Sequence, residues 1–386
     1  MPATIYTPRE MIDTLIAFDT TSRDSNLELI HFVRDYLSGH GVNSTLIHDE
    51  TGAKANLFAT VGPGGDGGVV LSGHTDVVPV DGQDWHTDPF TVVERDGKLF
   101  GRGTSDMKSF SAIALALVPE MLAKPLKQPI HFALSYDEEV GCLGVHGLVG
   151  HLAEAGIRPQ AVIVGEPTEM SVVNAHKGCF SFYTTVTGLE AHSSATPDGV
   201  NSIYYAAELI GFLRQLAETM KSEQANERFD PPYTTVHVGT IKGGTAQNII
   251  PRETKFTWEC RVVPGGDPDE LRGRLDAFAA EDVLPRMREV YPDANITTEV
   301  RSAIPPLLPE DGSPAESLVL ALAGSNQTYA VSYGTEAGIF QRDNHIPTVV
   351  CGPGNIREAH KPNEFIELSQ IDACVGFMRR LIDRMS

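Results

Sequence analysis

Apolar side chains recur along this chain in distinct rhythms, and each rhythm predicts an element. Between residues 25 and 38 they fall at Leu29, Ile30, Val33, Tyr36 and Leu37, one stripe of an amphipathic helix. Ser25 or Asn26 is placed to cap it, and Gly39 to stop it. Short apolar runs at 69–71, 130–134, 161–164 and 348–351 read as strands. Helical stretches such as 107–122 and 142–155 lie between some of them. Strands alternating with helices predict an α/β fold: a mixed, mostly parallel sheet flanked by helices.

The middle of the chain keeps a different rhythm. Residues 179–188 alternate, with Phe180, Phe182, Thr184 and Val186 on one face, and 234–241 and 255–263 do the same. Half-buried antiparallel strands look like this. Residues 201–220 predict a helix with Ile203, Ala207, Ile210, Leu213 and Leu216 on one face, and 268–278 predict another. The α/β pattern resumes near Arg301. The expected organisation is one domain in two pieces, 1–180 and 298–386, interrupted by an α+β domain at 181–297. Pro63 to Gly68 is a glycine-rich turn and not a phosphate loop, because no helix start or Lys-Ser/Thr follows it.

Composition narrows the class. At 386 residues the chain suits one large domain or two. No apolar run approaches the roughly 20 residues of a membrane span, and the first ten residues lack the features of a secretory signal. Five cysteines, with no Cys-x-x-Cys pair, argue against a disulfide framework and for a reducing, cytoplasmic setting. The net charge of −21 comes without any Lys/Arg cluster, which excludes nucleic acid as a partner. Most of that charge serves solubility; the rest favours cationic small molecules.

Candidate chemistry lies just past the ends of the apolar runs. His74 follows the run at 69–71, Glu138 and Glu139 the run at 130–134, and Glu166 the run at 161–164. Asp106 opens a predicted helix, and His360 lies in the loop after 348–351. In an open α/β sheet, ligands gather beyond the carboxyl ends of the strands, so parallel neighbours would carry all these groups to one rim. Taken singly, each is a turn or surface feature; their convergence is what points to a site. Imidazole nitrogen and carboxylate oxygen are the donors of catalytic zinc. A carboxylate can bridge two ions and an imidazole cannot. Five donors therefore suit two ions sharing one acid, with a His and an acid at each end. Asp76 is placed to hydrogen-bond the His74 imidazole from behind. Tandem Glu138-Glu139 suits divided labour, one residue on metal and the other as general base. Cys142, Cys179 and Cys351 lie nearby without any supporting nucleophile motif and read as small core fillers.

On Ser72-Gly73-His74-Thr75-Asp76, Gly101-Arg102-Gly103-Thr104-Ser105-Asp106-Met107-Lys108 and Asp137-Glu138-Glu139, the chain resembles the M20 metallopeptidase family of zinc-dependent deacetylases and carboxypeptidases. The resemblance implies a catalytic domain of the di-zinc aminopeptidase type. It implies two divalent ions, zinc or alternatively cobalt, with His74 and Glu166 on one, Glu139 and His360 on the other, and Asp106 between them. Glu138 would be the general base, Asp76 would orient His74, and the Asp106-Met107 peptide would be cis. The inserted domain resembles the family's lid, through which a homodimer is expected. His192, in Gly188-Leu189-Glu190-Ala191-His192-Ser193-Ser194, would stabilise an oxyanion. Asn248 and Arg261 are similar to substrate contacts, Arg261 for an α-carboxylate. The substrate class implied is a small N-acyl amino acid, with no membrane partner. The stretches Tyr136 to Gly144, Gly334 to Gly338, Cys351 to Asn355 and Ala359 to Glu364 resemble the branch that deacetylates N2-acetylornithine more than the desuccinylase branch. Ser109 stands where that branch usually has Gly.

Overall fold

A computed structural model describes residues 4–386. The chain forms two compact units. The larger holds the residues up to Ala175 together with Leu307–Ala330 and Thr335–Ser386; the smaller holds His176–Pro306 and Val331–Gly334.

The larger unit is built on an eight-stranded mixed sheet. Its strands run in the order Ser44–His48, Ala55–Val61, Ile130–Ser135, Val69–His74, Ala161–Pro167, Thr348–Gly352, Val172–His176 and Thr328–Val331. The four central strands, from Ile130–Ser135 to Thr348–Gly352, pair in parallel. Ala55–Val61 and Ser44–His48 extend one side antiparallel, and Val172–His176 adds antiparallel to the other. The mixed α/β architecture agrees with the apolar runs; the antiparallel additions are more extensive than those runs indicated. Strands Val69–His74, Ile130–Ser135 and Ala161–Pro167 are buried along their whole length, so helices must cover both faces.

The helix Leu27–Gly39 buries Leu29, Ile30, Val33, Tyr36 and Leu37, the stripe read from the sequence. Ser25 Oγ accepts from Leu27 N at its start. Asn26 instead staples the helix to the sheet, donating to Ala55 O (2.8 Å) and Thr75 Oγ1 (3.0 Å). The stretch expected as one helix over 107–122 is two, Lys108–Ala116 and Val118–Leu122, divided where Pro119 cannot supply an N–H. All nine residues of Lys108–Ala116 are buried, so this is a core helix with no solvent face. It packs close to the sheet because glycines permit it. A Cβ on Gly165 would lie 2.1 Å from the Phe110 ring, and one on Gly73 2.6 Å from Ser111 Oγ. That close approach fixes the loop leading into the helix, where Asp106 stands.

The smaller unit is a four-stranded antiparallel sheet in the order Thr235–Gly243, Glu253–Val262, Gly178–Thr187 and Asn295–Ile304. Phe180, Phe182, Thr184 and Val186 are buried on one face, as their alternation predicts. Phe182 stacks on Trp258 at 4.2 Å, and the indole N–H donates to Thr184 Oγ1. The helix Ser202–Glu223 covers this face with the later part of the expected stripe, Ile210, Leu213 and Leu216, but not with Ile203 or Ala207. It buries Ser202, Ala206, Leu209, Leu213, Leu216 and Met220, and leaves Ile203 partly exposed. Small Ser202 and Ala206 let the first turns approach the sheet, which the bulkier Ile203 would hold off. Among the described residues, no helix is long and apolar enough to cross a membrane.

Candidate metal centre

The central strands deliver the candidate groups to one rim. His74 closes its strand, Glu166 lies near the end of Ala161–Pro167, and the turn after Ile130–Ser135 carries Asp137, Glu138 and Glu139. Asp106 precedes the core helix across a cis Asp106–Met107 peptide. His360 sits in the loop after Thr348–Gly352 with φ +64°.

Asp106 faces both imidazoles, each with a different oxygen. His74 Nε2 is 3.1 Å from Oδ1 and His360 Nε2 is 3.2 Å from Oδ2. Glu166 Oε1 lies 3.8 Å from His74 Nε2, and Glu139 Oε2 lies 3.0 Å from His360 Nε2. Each imidazole thus meets Asp106 and one further acid. Among the described residues, two groups of side chains could hold a metal ion: His74 with Asp106 and Glu139, and His74 with Glu138 and Glu166. Glu138 therefore lies within reach of the donor atoms as well as of any water among them.

Asp76 stands behind His74 and offers its Nδ1 two acceptors. The nearer acceptor for His74 Nδ1 is the main-chain carbonyl of Asp76 at 2.9 Å; the carboxylate is 3.5 Å away. Either acceptor takes a proton on Nδ1, so a metal ion beside Asp106 would meet the lone pair of Nε2, the nitrogen that otherwise donates to Asp106. The Asp76 carboxylate chiefly organises the acidic turn. It accepts from Glu138 N (3.1 Å), Glu139 N (3.3 Å) and Ser22 Oγ (2.7 Å). Backbone amides claim it because the turn beyond Ser135 folds directly over it.

Electrostatics explains what such a cluster requires. Burial, reinforced by the Asp106 charge, pushes Glu139 up to about 7 and Glu166 well above the carboxylate range. Burial also pushes Glu138 well up, with Glu139 and Asp106 adding to it against the opposing pull of His74. On Asp106 burial is outweighed by hydrogen bonds from His360 and His74, which hold it below its ordinary value. The hydrogen bonds to Asp106 and Glu139 raise His360 to about 10. Several buried carboxyls this close cannot all ionise without cations among them. Mixed imidazole and carboxylate donors with one acid between two imidazoles fit divalent ions of the zinc type.

His192, Asn248 and Arg261 belong to the smaller unit. His192 bridges to Ile249, and Ser193 N donates to Asn248 O, so the His192 and Asn248 loops lie together. Ser194 meets the exposed His192 ring at Nδ1, through its N (3.2 Å) and its Oγ (2.8 Å), and Nε2 lies on the other side of the ring. Arg261, on Glu253–Val262, is held by Glu259 through Nε (3.2 Å) and Nη2 (3.3 Å). Glu336 drew no role from the sequence beyond a resembling flank. It is buried, its Oε2 accepts from Ser72 Oγ (3.3 Å), and burial pushes it up to about 7 against hydrogen bonds from Ser135 and Ser72. An acid ahead of a helix reads as an ordinary N-terminal charge, so no sequence signal marked it.

An α/β sheet that gathers imidazoles and acids at its rim defines a metallohydrolase type of site, and the chain belongs to peptidase family M20/M25/M40, which residues 70–384 match. It is 35% identical to the acetylornithine deacetylase of Photorhabdus laumondii over 99% of this chain and 97% of that one. Its fold is similar to the M20 family metallo-carboxypeptidase Sso-CP2 of Sulfolobus solfataricus (TM-score 0.76, 15% identity, 99% of each chain). It is also similar to the aminopeptidase PepT of Bacillus cereus (TM-score 0.72, 20% identity, 99% of each chain). The protein is a hydrolase acting on amide bonds.

Proposed function

We propose that the protein removes the acetyl group from N2-acetyl-L-ornithine, giving L-ornithine and acetate, a step of arginine biosynthesis. The observation that carries the site chemistry is Asp106, with one carboxylate oxygen toward each imidazole. The acetylornithine deacetylase relative supports the substrate. Asp106 would be shared by two divalent ions, zinc or cobalt, with His74 and Glu166 on one side and Glu139 and His360 on the other. When bound, such a pair supplies Lewis acidity, lowering the pKa of water towards about 7 and polarising the scissile carbonyl.

The chain's own residues do the rest. Glu138 takes a proton from the attacking water and returns it to the departing amine nitrogen. Its burial favours a proton-holding carboxyl, which is what the second transfer needs. Asp76 fixes the turn that aims it. His192 donates from Nε2 to the oxyanion of the tetrahedral intermediate. Asn248 and Arg261 receive the substrate, Arg261 turning from Glu259 to the α-carboxylate. The protein is read as cytoplasmic, in keeping with five buried free cysteines, and as a homodimer through the smaller unit.

Steady-state rates on N2-acetylornithine and on N-succinyl-diaminopimelate, after zinc or cobalt reconstitution, test the reading. A kcat/KM at least tenfold higher on the acetyl substrate supports it. Preference for the succinyl compound, for N-acetylcitrulline or for a dipeptide would replace it with another activity of the family.

A further inference from the structure

Asp106 and His360 are 254 residues apart in sequence, and one buried ion pair reaches the backbone of both. Glu364 Oε1 accepts from three main-chain amides that lead into the site: Gly103 N (3.0 Å), Ser105 N (2.8 Å) and Asp106 N (3.0 Å). Its other oxygen, Oε2, takes Arg102 Nη1 at 2.6 Å. The guanidinium then reaches the opposite loop. Nη1 also donates to Lys361 O (3.3 Å), and Nη2 donates to Gln83 Oε1 (2.7 Å). Gln83 Nε2 in turn donates to His360 O (3.1 Å). Both charged side chains are 1% exposed or less, whereas His360 itself is half exposed, in a loop at positive φ. His74 and Glu166 need no such help, because hydrogen-bonded strands of the sheet carry them.

We propose that Arg102, Glu364 and Gln83 are positioning residues that hold the Asp106 backbone and the His360 loop in mutual register, so that the metal position shared by Asp106, Glu139 and His360 depends on them. This rests on the two-ion reading above and adds to it a dependence that the ligands alone do not show. Groups that orient metal ligands commonly change metal affinity by about 10–100-fold when lost. The bridge acts through main-chain atoms, so it fixes where the two ligands stand and leaves their donor chemistry unaltered.

The test is zinc titration of metal-free full-length protein against a competing chromophoric chelator, for wild type, Gln83→Leu and Glu364→Gln. Gln83→Leu removes the link to His360 and costs Arg102 its Nη2 acceptor, but it leaves the Arg102–Glu364 ion pair in place, so it should melt within a few degrees of wild type when metal-free. It should nonetheless bind one of two zinc ions about tenfold more weakly, and Glu364→Gln up to about 100-fold more weakly. In Gln83→Leu, which acts on the His360 loop alone, the other ion should keep its affinity; in Glu364→Gln both ions can weaken, because Asp106 serves both. If Gln83→Leu folds and takes up both ions as tightly as wild type, the proposal is overturned, whatever Glu364→Gln does. Equal weakening of both ions by Gln83→Leu would also overturn it, because it would indicate general loosening. Failure of the wild type to bind zinc would overturn the two-ion reading itself; preference for another acyl substrate would overturn only the proposed activity.

Discussion

Lys54 Nζ lies 2.5 Å from Asp137 Oδ1 and 2.5 Å from the carbonyl of Ser22. Both members of the pair are about one-seventh exposed (15% and 14%), so water screens it little. Asp137 has φ +56° and opens the turn that presents Glu138 and Glu139, so Lys54 pins that turn from outside the site. Lys54→Met should lower kcat about tenfold with KM nearly unchanged, and lower stability by about 2 kcal/mol by stranding Asp137. Lys54→Arg should recover part of both. Steady-state kinetics with chemical denaturation checks this; a KM effect without a kcat effect would show that the turn does not need pinning.

Glu138→Gln keeps the shape of the side chain and removes its basicity. It should lower kcat by about 10²–10⁴-fold while the protein still takes up two ions. Metal analysis beside kinetics separates the base role from a ligand role, since Glu138 also falls in a metal-capable group with His74 and Glu166. Loss of one ion would assign it to the ligands.

His192→Ala should lower kcat by about 10²-fold or more and leave zinc affinity unchanged. His192→Gln, which retains an N–H donor, should recover part of the rate. Equal kcat for all three proteins would exclude the oxyanion role.

How far the sequence leads differs from feature to feature. The stripe of Leu27–Gly39 and the alternation of Gly178–Thr187 are local periodicities, and both are read correctly. The face of Ser202–Glu223 is read correctly only from Ile210 onward, because small residues decide how near its first turns come, and an apolar count does not see that. His74, Glu139, Glu166 and His360 come to one rim because they follow apolar runs that become strands, and Asp106 because it opens the helix packed against them. Glu336, Glu364 and Lys54 could not be found, since their roles depend on partners distant in sequence. Asp76 shows the intermediate case. Its place behind His74 follows from spacing, but its hold on the Glu138 and Glu139 amides follows only from how the next strand's turn folds back.

Gly165 is required by packing. A Cβ there would stand 2.1 Å from two atoms of the Phe110 ring, on the core helix that follows Asp106. Gly165→Ala should cost about 3 kcal/mol, and Phe110→Leu in the same chain should recover part of it although it is destabilising alone. Urea unfolding of the four proteins in a double-mutant cycle measures the coupling. Additive effects would mean that Phe110 does not supply the clash.

Glu336 gives a prediction whose sign runs against the usual cost of a core substitution. Burial raises this carboxyl from 4.5 to about 7 in the folded protein. Between those values the folded state holds a proton that the unfolded state has released. Stability from this group is therefore complete below about 4.5 and is lost as pH rises through about 7, a change worth about 3 kcal/mol. Glutamine does not titrate, and its carbonyl can still accept from Ser72 Oγ. In metal-stripped protein, Glu336→Gln should match wild type near pH 4.5 and exceed it increasingly towards pH 8. Denaturant unfolding at several pH values measures the difference. A constant offset would mean that Glu336 ionises in the folded protein as freely as in the unfolded chain, with another cation compensating it. Repeating the series with zinc adds a second comparison, because cations near His74 favour the charged carboxylate and should narrow the advantage of glutamine.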